Sequence, residues 1–177
     1  MEPHYKTVGV VGTGAMGRGI AQIAAQAGSK VILFDAKTSA ATEALAELLA
    51  QWDKLVTKGR MEPDKAAACK GRVVAASQLT DLAPCDLIVE AIVERLDVKK
   101  TLFAELESVV SAQTVLATNT SSLSVTAIAA ELKHAQRVAG YHFFNPVPLM
   151  KVVEVIAGLR TDAQVCTALA GYARQMG

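Results

Sequence analysis

The chain has 177 residues, of which 51% are hydrophobic and 20% charged, and its net charge at pH 7 is +1. That length suits one ordinary domain with a sizeable core, and the hydrophobic content excludes a disordered chain. The near-neutral balance and the 5% aromatic content exclude a basic, base-stacking surface, so no nucleic-acid partner is expected.

Cys69, Cys85 and Cys166 are scattered and odd in number, with no CxxC pair and no metal-ligand spacing. A reduced, cytoplasmic setting and no metal centre are expected. The opening MEPHYKTVGVVG has no long apolar stretch ahead of the first strand. No apolar run approaches the ~20 residues of a membrane span, so no membrane partner is expected.

Residues 8–35 read as a complete βαβ unit. The apolar run Val8-Gly9-Val10-Val11 meets Gly12-Thr13-Gly14-Ala15-Met16-Gly17, then a small-residue helix over 20–27, then Val31 to Phe34 and Asp35. In this context a GxGxxG is a dinucleotide fingerprint. Gly12 allows the tight turn, Gly14 lets a pyrophosphate approach the backbone, and Gly17 lets the helix pack on the sheet. The free N–H groups of the first helical turn face the anion. Asp35 stands where an acid accepts from a ribose 2′-OH and repels a 2′-phosphate, so NAD is expected over NADP.

A long Ala/Leu-rich helix is expected over 37–58, capped by Thr38 or Ser39 and ended by Gly59. A short helix follows over 63–71, with Pro63 in its first turn. The cluster Lys54, Lys58 and Arg60 is either a solvated face or a landing place for a polyanionic substrate tail. Strands are expected over 72–76, 86–92, 115–118, 137–144 and 151–156. Helices are expected over 98–110, from Ser124 through Leu132, and from Asp162 to Gly177. The turn Asn145-Pro146-Val147-Pro148 cannot be helical. Alternating strands and helices predict an α/β domain over 1–177: a doubly wound, mostly parallel Rossmann-type sheet with helices on both faces. Ligands would sit beyond the carboxyl ends of the strands, where three polar clusters fall: Glu90/Glu94, 119–122 and His142/Asn145.

His142 lies in YHFFNP and Glu154 twelve residues on in VVEVI. On neighbouring strands they would make a base and its orienting acid. Otherwise Glu154 faces solvent and His142 is structural. Ser121 sits in no GxSxG elbow, so a hydrogen bond to a substrate oxygen suits it better than nucleophilic attack. His4 and His134 read as surface residues.

At these residues the chain resembles the NAD-binding domain of the L-3-hydroxyacyl-CoA dehydrogenase family. The resemblance is carried by VGVVGTGAMGRGIAQ, VEAIVERLDVKKTLF, ATNTSSLSVT and GYHFFNPVPLMKVVEVI, and runs over essentially the whole chain. It implies NAD-dependent oxidation of a (S)-3-hydroxyacyl-CoA to the 3-oxoacyl-CoA. It gives His142 the role of general base, Glu154 that of its orienting partner, and Ser121 a hydrogen bond to the C3 oxygen. It implies cofactor contacts from residues 12–17, Asp35, Glu94, Lys99, Ser121 and Asn145. It implies substrate contacts from Lys58, Lys99 and Ser121, with the CoA moiety as the partner of the two lysines.

The family's helical C-terminal domain, which dimerises, closes over the acyl group and supplies a catalytic asparagine, has no counterpart before Gly177. The expectation is therefore the cofactor half of a longer homodimeric enzyme. A non-catalytic NAD-binding or structural protein on the same scaffold is the alternative. A Rossmann hydroxyacid dehydrogenase with a catalytic lysine is a more distant one. The acyl group, 3-hydroxybutyryl or 3-hydroxyadipyl, is left open.

Overall fold

The structure, a computed structural model, describes residues 4–37 and 39–177. The strands are β1 (Thr7–Val11), β2 (Lys30–Phe34), β3 (Val73–Ala75), β4 (Leu87–Glu90), β5 (Val115–Thr118), β6 (Val138–Phe143) and β7 (Val153–Ala157). The helices are α1 (Ala15–Gln26), α2 (Ala40–Thr57), α3 (Pro63–Lys70), α4 (Leu96–Val109), α5 (Val125–Ile128) and α6 (Ala163–Met176). The strands form one seven-stranded sheet in the order β3-β2-β1-β4-β5-β6-β7. All neighbours are parallel except β7, which runs antiparallel along the edge of β6. The doubly wound expectation holds, and the chain order reverses between β1 and β4, where such sheets open a ligand crevice.

The apolar runs explain the sheet. Every residue of β4 and β5 is buried, as parallel strands covered on both faces require. One face packs against α1, α2, α3 and α6 through Ile20, Leu48, Trp52 and Tyr172. The other packs against α4, α5 and a 3-10 turn at Leu79–Leu82 through Leu82, Phe103, Leu106 and Ile128. In α2 the buried set Ala41, Ala44, Leu48 and Trp52 falls on one stripe of the helix.

Several expectations need correction at their edges. α2 starts three residues later than read, and Ser39 does not cap it: its φ is 70° and its hydroxyl donates to Glu43 Oε1 at 2.7 Å. Thr38, the other expected cap, lies outside the described residues. Gly59, at φ 63°, does end the helix. Ser124 and Asp162 cap α5 and α6 as read, accepting from the Ala127 and Gln164 N–H groups. The two 3-10 turns, Leu79–Leu82 and Ala135–Arg137, are too short to leave a periodic signal. No helix among the described residues is long and apolar enough to cross a membrane.

Candidate active site and dinucleotide cleft

The carboxyl ends of the parallel strands place every polar cluster on one rim of the sheet. The turn after β1 is built by its glycines. Gly12 has φ +91°, and a Cβ there would meet the Ala91 carbonyl oxygen at 2.6 Å. A Cβ on Gly17 would lie 1.8 Å from the Gly12 carbonyl oxygen. Gly14 differs: nothing lies within 4 Å of its hypothetical Cβ. So Gly12 and Gly17 are required by the protein's own packing, whereas Gly14 faces open space at the N-cap of α1. That open cradle at a helix N-terminus fits a pyrophosphate.

Beside the cradle lies a cavity of about 760 Å³, lined by Gly12, Gly14, Asp35, Lys37, Ile92 and Val98 among others. Asp35 closes one end. Its Oδ2 accepts from the Thr13 N–H at 2.8 Å and the Thr13 hydroxyl at 2.9 Å, and its Oδ1 from the Lys37 N–H at 3.0 Å. Partial burial pushes the Asp35 carboxyl up, but these hydrogen bonds and the Lys37 charge outweigh it and hold the group below its ordinary range. The expected cofactor set thus divides. Gly12, Thr13, Gly14 and Asp35 line the cavity, with the Thr13 N–H already committed to Asp35. Ala15 lies across the α1 N-terminus from Asn145, in a smaller groove of about 250 Å³. Met16 is half-buried against the α1 face of the core.

The second cluster is set by register. In the antiparallel pair, His142 and Glu154 lie directly opposite. His142 Nδ1 is 2.8 Å from Glu154 Oε2, and His142 Nε2 is 3.2 Å from Ser121 Oγ. A carboxylate at Nδ1 selects the tautomer with hydrogen on Nδ1 and the lone pair on Nε2. Glu154 pairs with His142 and still reaches solvent. Its side chain is 56% exposed, because β7 turns Val153 and Val155 toward the core on the other face.

The Ser121 loop is held from below. Glu94 Oε1 accepts from the Thr120 hydroxyl and from the N–H groups of Ser121 at 3.0 Å and Ser122 at 3.3 Å. Burial pushes the Glu94 carboxyl up, but the Thr120 and Ser122 hydrogen bonds and the Lys99 charge prevail and hold it below its ordinary range. Asn119 Oδ1 accepts from the Phe143 N–H at 2.8 Å, tying the same loop to β6. Asn119 was read only as part of the 119–122 loop, and its placement between strands gives no sequence signal.

Lys99 departs from expectation. The family resemblance implies a cofactor and CoA contact, but its side chain is 1% exposed. Its ammonium lies 2.5 Å from the fully buried Glu90 Oε1 and 3.4 Å from Glu94 Oε2. Glu90 also accepts from the Ile92 N–H at 2.8 Å and the Thr118 hydroxyl at 2.7 Å. Lys99 therefore supports the rim from underneath. Lys58 is exposed at the C-cap of α2, away from the His142 cluster at the end of β6.

Chemically, the cluster offers an imidazole Nε2 beside a hydroxyl, next to a dinucleotide-sized cleft. Ser–His–Glu is also the order of a nucleophilic triad. An acyl-transfer oxyanion would need backbone donors beside Ser121. The N–H groups of Ser121 and Ser122 are already bound to an anionic carboxylate. Proton transfer is the chemistry this geometry favours.

Residues 7–177 match the family described as 3-hydroxyacyl-CoA dehydrogenase, NAD binding domain. The chain is 48% identical over 166 residues to 3-hydroxyadipyl-CoA dehydrogenase of Escherichia coli K12, covering 94% of this chain and 35% of that protein. It is 39% identical over 172 residues to 3-hydroxybutyryl-CoA dehydrogenase of Bradyrhizobium diazoefficiens, covering 97% of this chain and 59% of that one. The crystal structure of 3-hydroxybutyryl-CoA dehydrogenase from Escherichia coli K12 superposes with a TM-score of 0.95 at 46% identity, covering 98% of this chain and 37% of that one. The chain thus spans between about a third and three fifths of the length of these relatives. With the glycine turn, Asp35 and the rim clusters in place across the matched length, the chain belongs to the 3-hydroxyacyl-CoA dehydrogenase family, as its NAD-binding domain.

Proposed function

We propose that residues 1–177 are the cofactor half of a longer enzyme that oxidises (S)-3-hydroxyacyl-CoA to 3-oxoacyl-CoA. The observation that carries this reading is the line Ser121 Oγ, His142 Nε2, His142 Nδ1, Glu154 Oε2, at the rim of the sheet that also carries the dinucleotide cleft. Bound NAD supplies the hydride acceptor. The Gly14 cradle and Asp35 would hold its pyrophosphate and adenosine ribose. The substrate's C3 oxygen would lie against Ser121 Oγ and His142 Nε2. His142 takes the hydroxyl proton on Nε2, while Glu154 keeps hydrogen on Nδ1 and stabilises the imidazolium that forms. Glu94 and Asn119 keep Ser121 in reach.

The relatives supply the substrate class. One is named for 3-hydroxyadipyl-CoA and another for 3-hydroxybutyryl-CoA, so an acyl-CoA is the proposed partner. Lys58, exposed at the C-cap of α2, would meet the CoA moiety. A homodimer formed through the remaining part of the full-length enzyme is part of the proposal. So is a cytoplasmic location, which the free thiols of Cys69, Cys85 and Cys166 support.

The test is acetoacetyl-CoA-dependent oxidation of NADH by the full-length enzyme, with NAD binding followed by calorimetry on the same sample. Binding without turnover would favour a non-catalytic NAD-binding protein on this scaffold. Two glycine variants separate cofactor binding from folding. Gly14→Ala should leave the thermal midpoint close to wild type and weaken NAD about tenfold or more, because the methyl enters the pyrophosphate space. Gly17→Ala should lower the midpoint sharply, because its Cβ strikes the Gly12 carbonyl. Equal NAD affinity in Gly14→Ala would remove the cradle from the cofactor site.

A further inference from the structure

Asp35 has two carboxylate oxygens, and the protein has already committed most of one of them. Oδ2 takes two donors from a single residue, the N–H and the hydroxyl of Thr13, at 2.8 and 2.9 Å. Thr13 is buried, 4% exposed, so that hydroxyl has no competing water. Oδ1 takes one donor, the Lys37 N–H at 3.0 Å, and keeps acceptor capacity toward the cavity that Asp35 lines. The carboxylate is therefore fixed in rotation before any ligand arrives. Lys37 lines the same cavity, and its charge acts on Asp35. A cation suited to a 2′-phosphate thus stands beside an anion that repels one.

We propose that the Thr13 hydroxyl is a specificity-determining group: by fixing the Asp35 carboxylate it enforces the choice of NAD over NADP. The inference rests on the dinucleotide reading of the 760 Å³ cleft. A ribose 2′-hydroxyl donates to the fixed Oδ1 without the carboxylate having to reorient, so no ordering cost falls on binding. A 2′-phosphate meets a carboxylate that cannot swing aside. Remove the hydroxyl and Asp35 retains only backbone donors. With one backbone donor left on each oxygen it costs less to turn away from a phosphate, and Lys37 becomes that phosphate's counter-ion. Thr13 acts through Asp35 and is a positioning residue.

The experiment measures Kd for NAD and for NADP by calorimetry on the wild type, Thr13→Val, Thr13→Ser and Thr13→Val/Lys37→Met. Valine keeps the shape of threonine and removes the hydroxyl, and the thermal midpoint reports whether the fold is kept. Having to order the loosened Asp35 side chain on binding predicts an NAD Kd raised about two- to tenfold in Thr13→Val. The NADP Kd should stay level or fall, so the preference for NAD narrows by at least the same factor. Thr13→Ser should restore the wild-type ratio, and adding Lys37→Met should abolish any NADP gain. An unchanged ratio in Thr13→Val overturns the proposal. So does a Thr13→Ser variant as impaired as the valine, which would make the effect one of packing. Absence of NAD binding by the wild type would instead overturn the dinucleotide reading itself.

Discussion

Replacing His142 with alanine in the full-length enzyme should lower kcat for acetoacetyl-CoA reduction by about 10²–10⁴-fold, the usual contribution of a positioned acid–base group. The expectation follows from geometry. Nε2 is the one ring nitrogen aimed at Ser121, because Nδ1 is engaged by Glu154 at 2.8 Å. The loss should fall on kcat, with NAD affinity unchanged in calorimetry, because His142 sits at the carboxyl end of β6 and Asp35 beyond β2 on the far side of the switch point. Glu154→Ala should cost less than His142→Ala, since the ring survives and loses only its fixed tautomer. Full activity in His142→Ala would exclude the histidine as the base. An equal loss of NAD binding would mean that the variant had disturbed the cleft rather than the chemistry.

Lys99→Met should destabilise the fold by about 3–5 kcal/mol, the usual effect of breaking a buried ion pair from one side. Methionine fills the volume but leaves Glu90, which is fully buried, without its cation. The Ile92 N–H and the Thr118 hydroxyl remain as its donors, too little to hold a carboxylate charge out of water. For a chain of this size each kcal/mol moves the melting midpoint by roughly 2–4 °C, so a fall of roughly 6–20 °C is expected. The double variant Lys99→Met/Glu90→Gln removes both charges and should recover much of the loss. Thermal melts followed by circular dichroism decide this. A midpoint within about 2 °C of wild type in Lys99→Met, less than 1 kcal/mol on that scale, would show that no buried charge depends on Lys99.

The strands were legible because parallel strands covered on both faces must be continuous apolar runs. Such runs stand out at Val8–Val11, in DLIVEAI and at Val115–Thr118. The glycine turn was legible because its residue types follow from backbone sterics, and the structure gives each glycine a separate reason. The antiparallel sense of β7 was not legible, since a short apolar run carries no direction. Lys99 had a readable signal that the family's cofactor role obscured. It lies one turn before Phe103 and two before Leu106, on the buried stripe of α4. A lysine on such a stripe needs a buried acid, and Glu90, interrupting an apolar strand, is the matching anomaly. Their pairing spans a loop and a helical turn, so neither spacing rule reveals it. The Thr13–Asp35 tether is hidden in the same way, joining residues 22 apart across two strand ends.

The pairing of β6 with β7 has one more consequence. His142 faces Glu154 because backbone hydrogen bonds align the two strands, and the length of the link between them plays no part in that alignment. Val147 in that link is anchored in the core, but the exposed residues 149–152 can lengthen or shorten by a position or two and leave the imidazole and carboxylate in place, provided the ladder re-forms in the same alignment. Deleting one residue within β7 would instead bring a valine opposite His142. Leu149, Met150 and Val152 are the exposed apolar residues of the stretch 149–152. Changes there would alter the exposed apolar surface beside the rim while the His142–Glu154 pair stays fixed, so the two can vary independently.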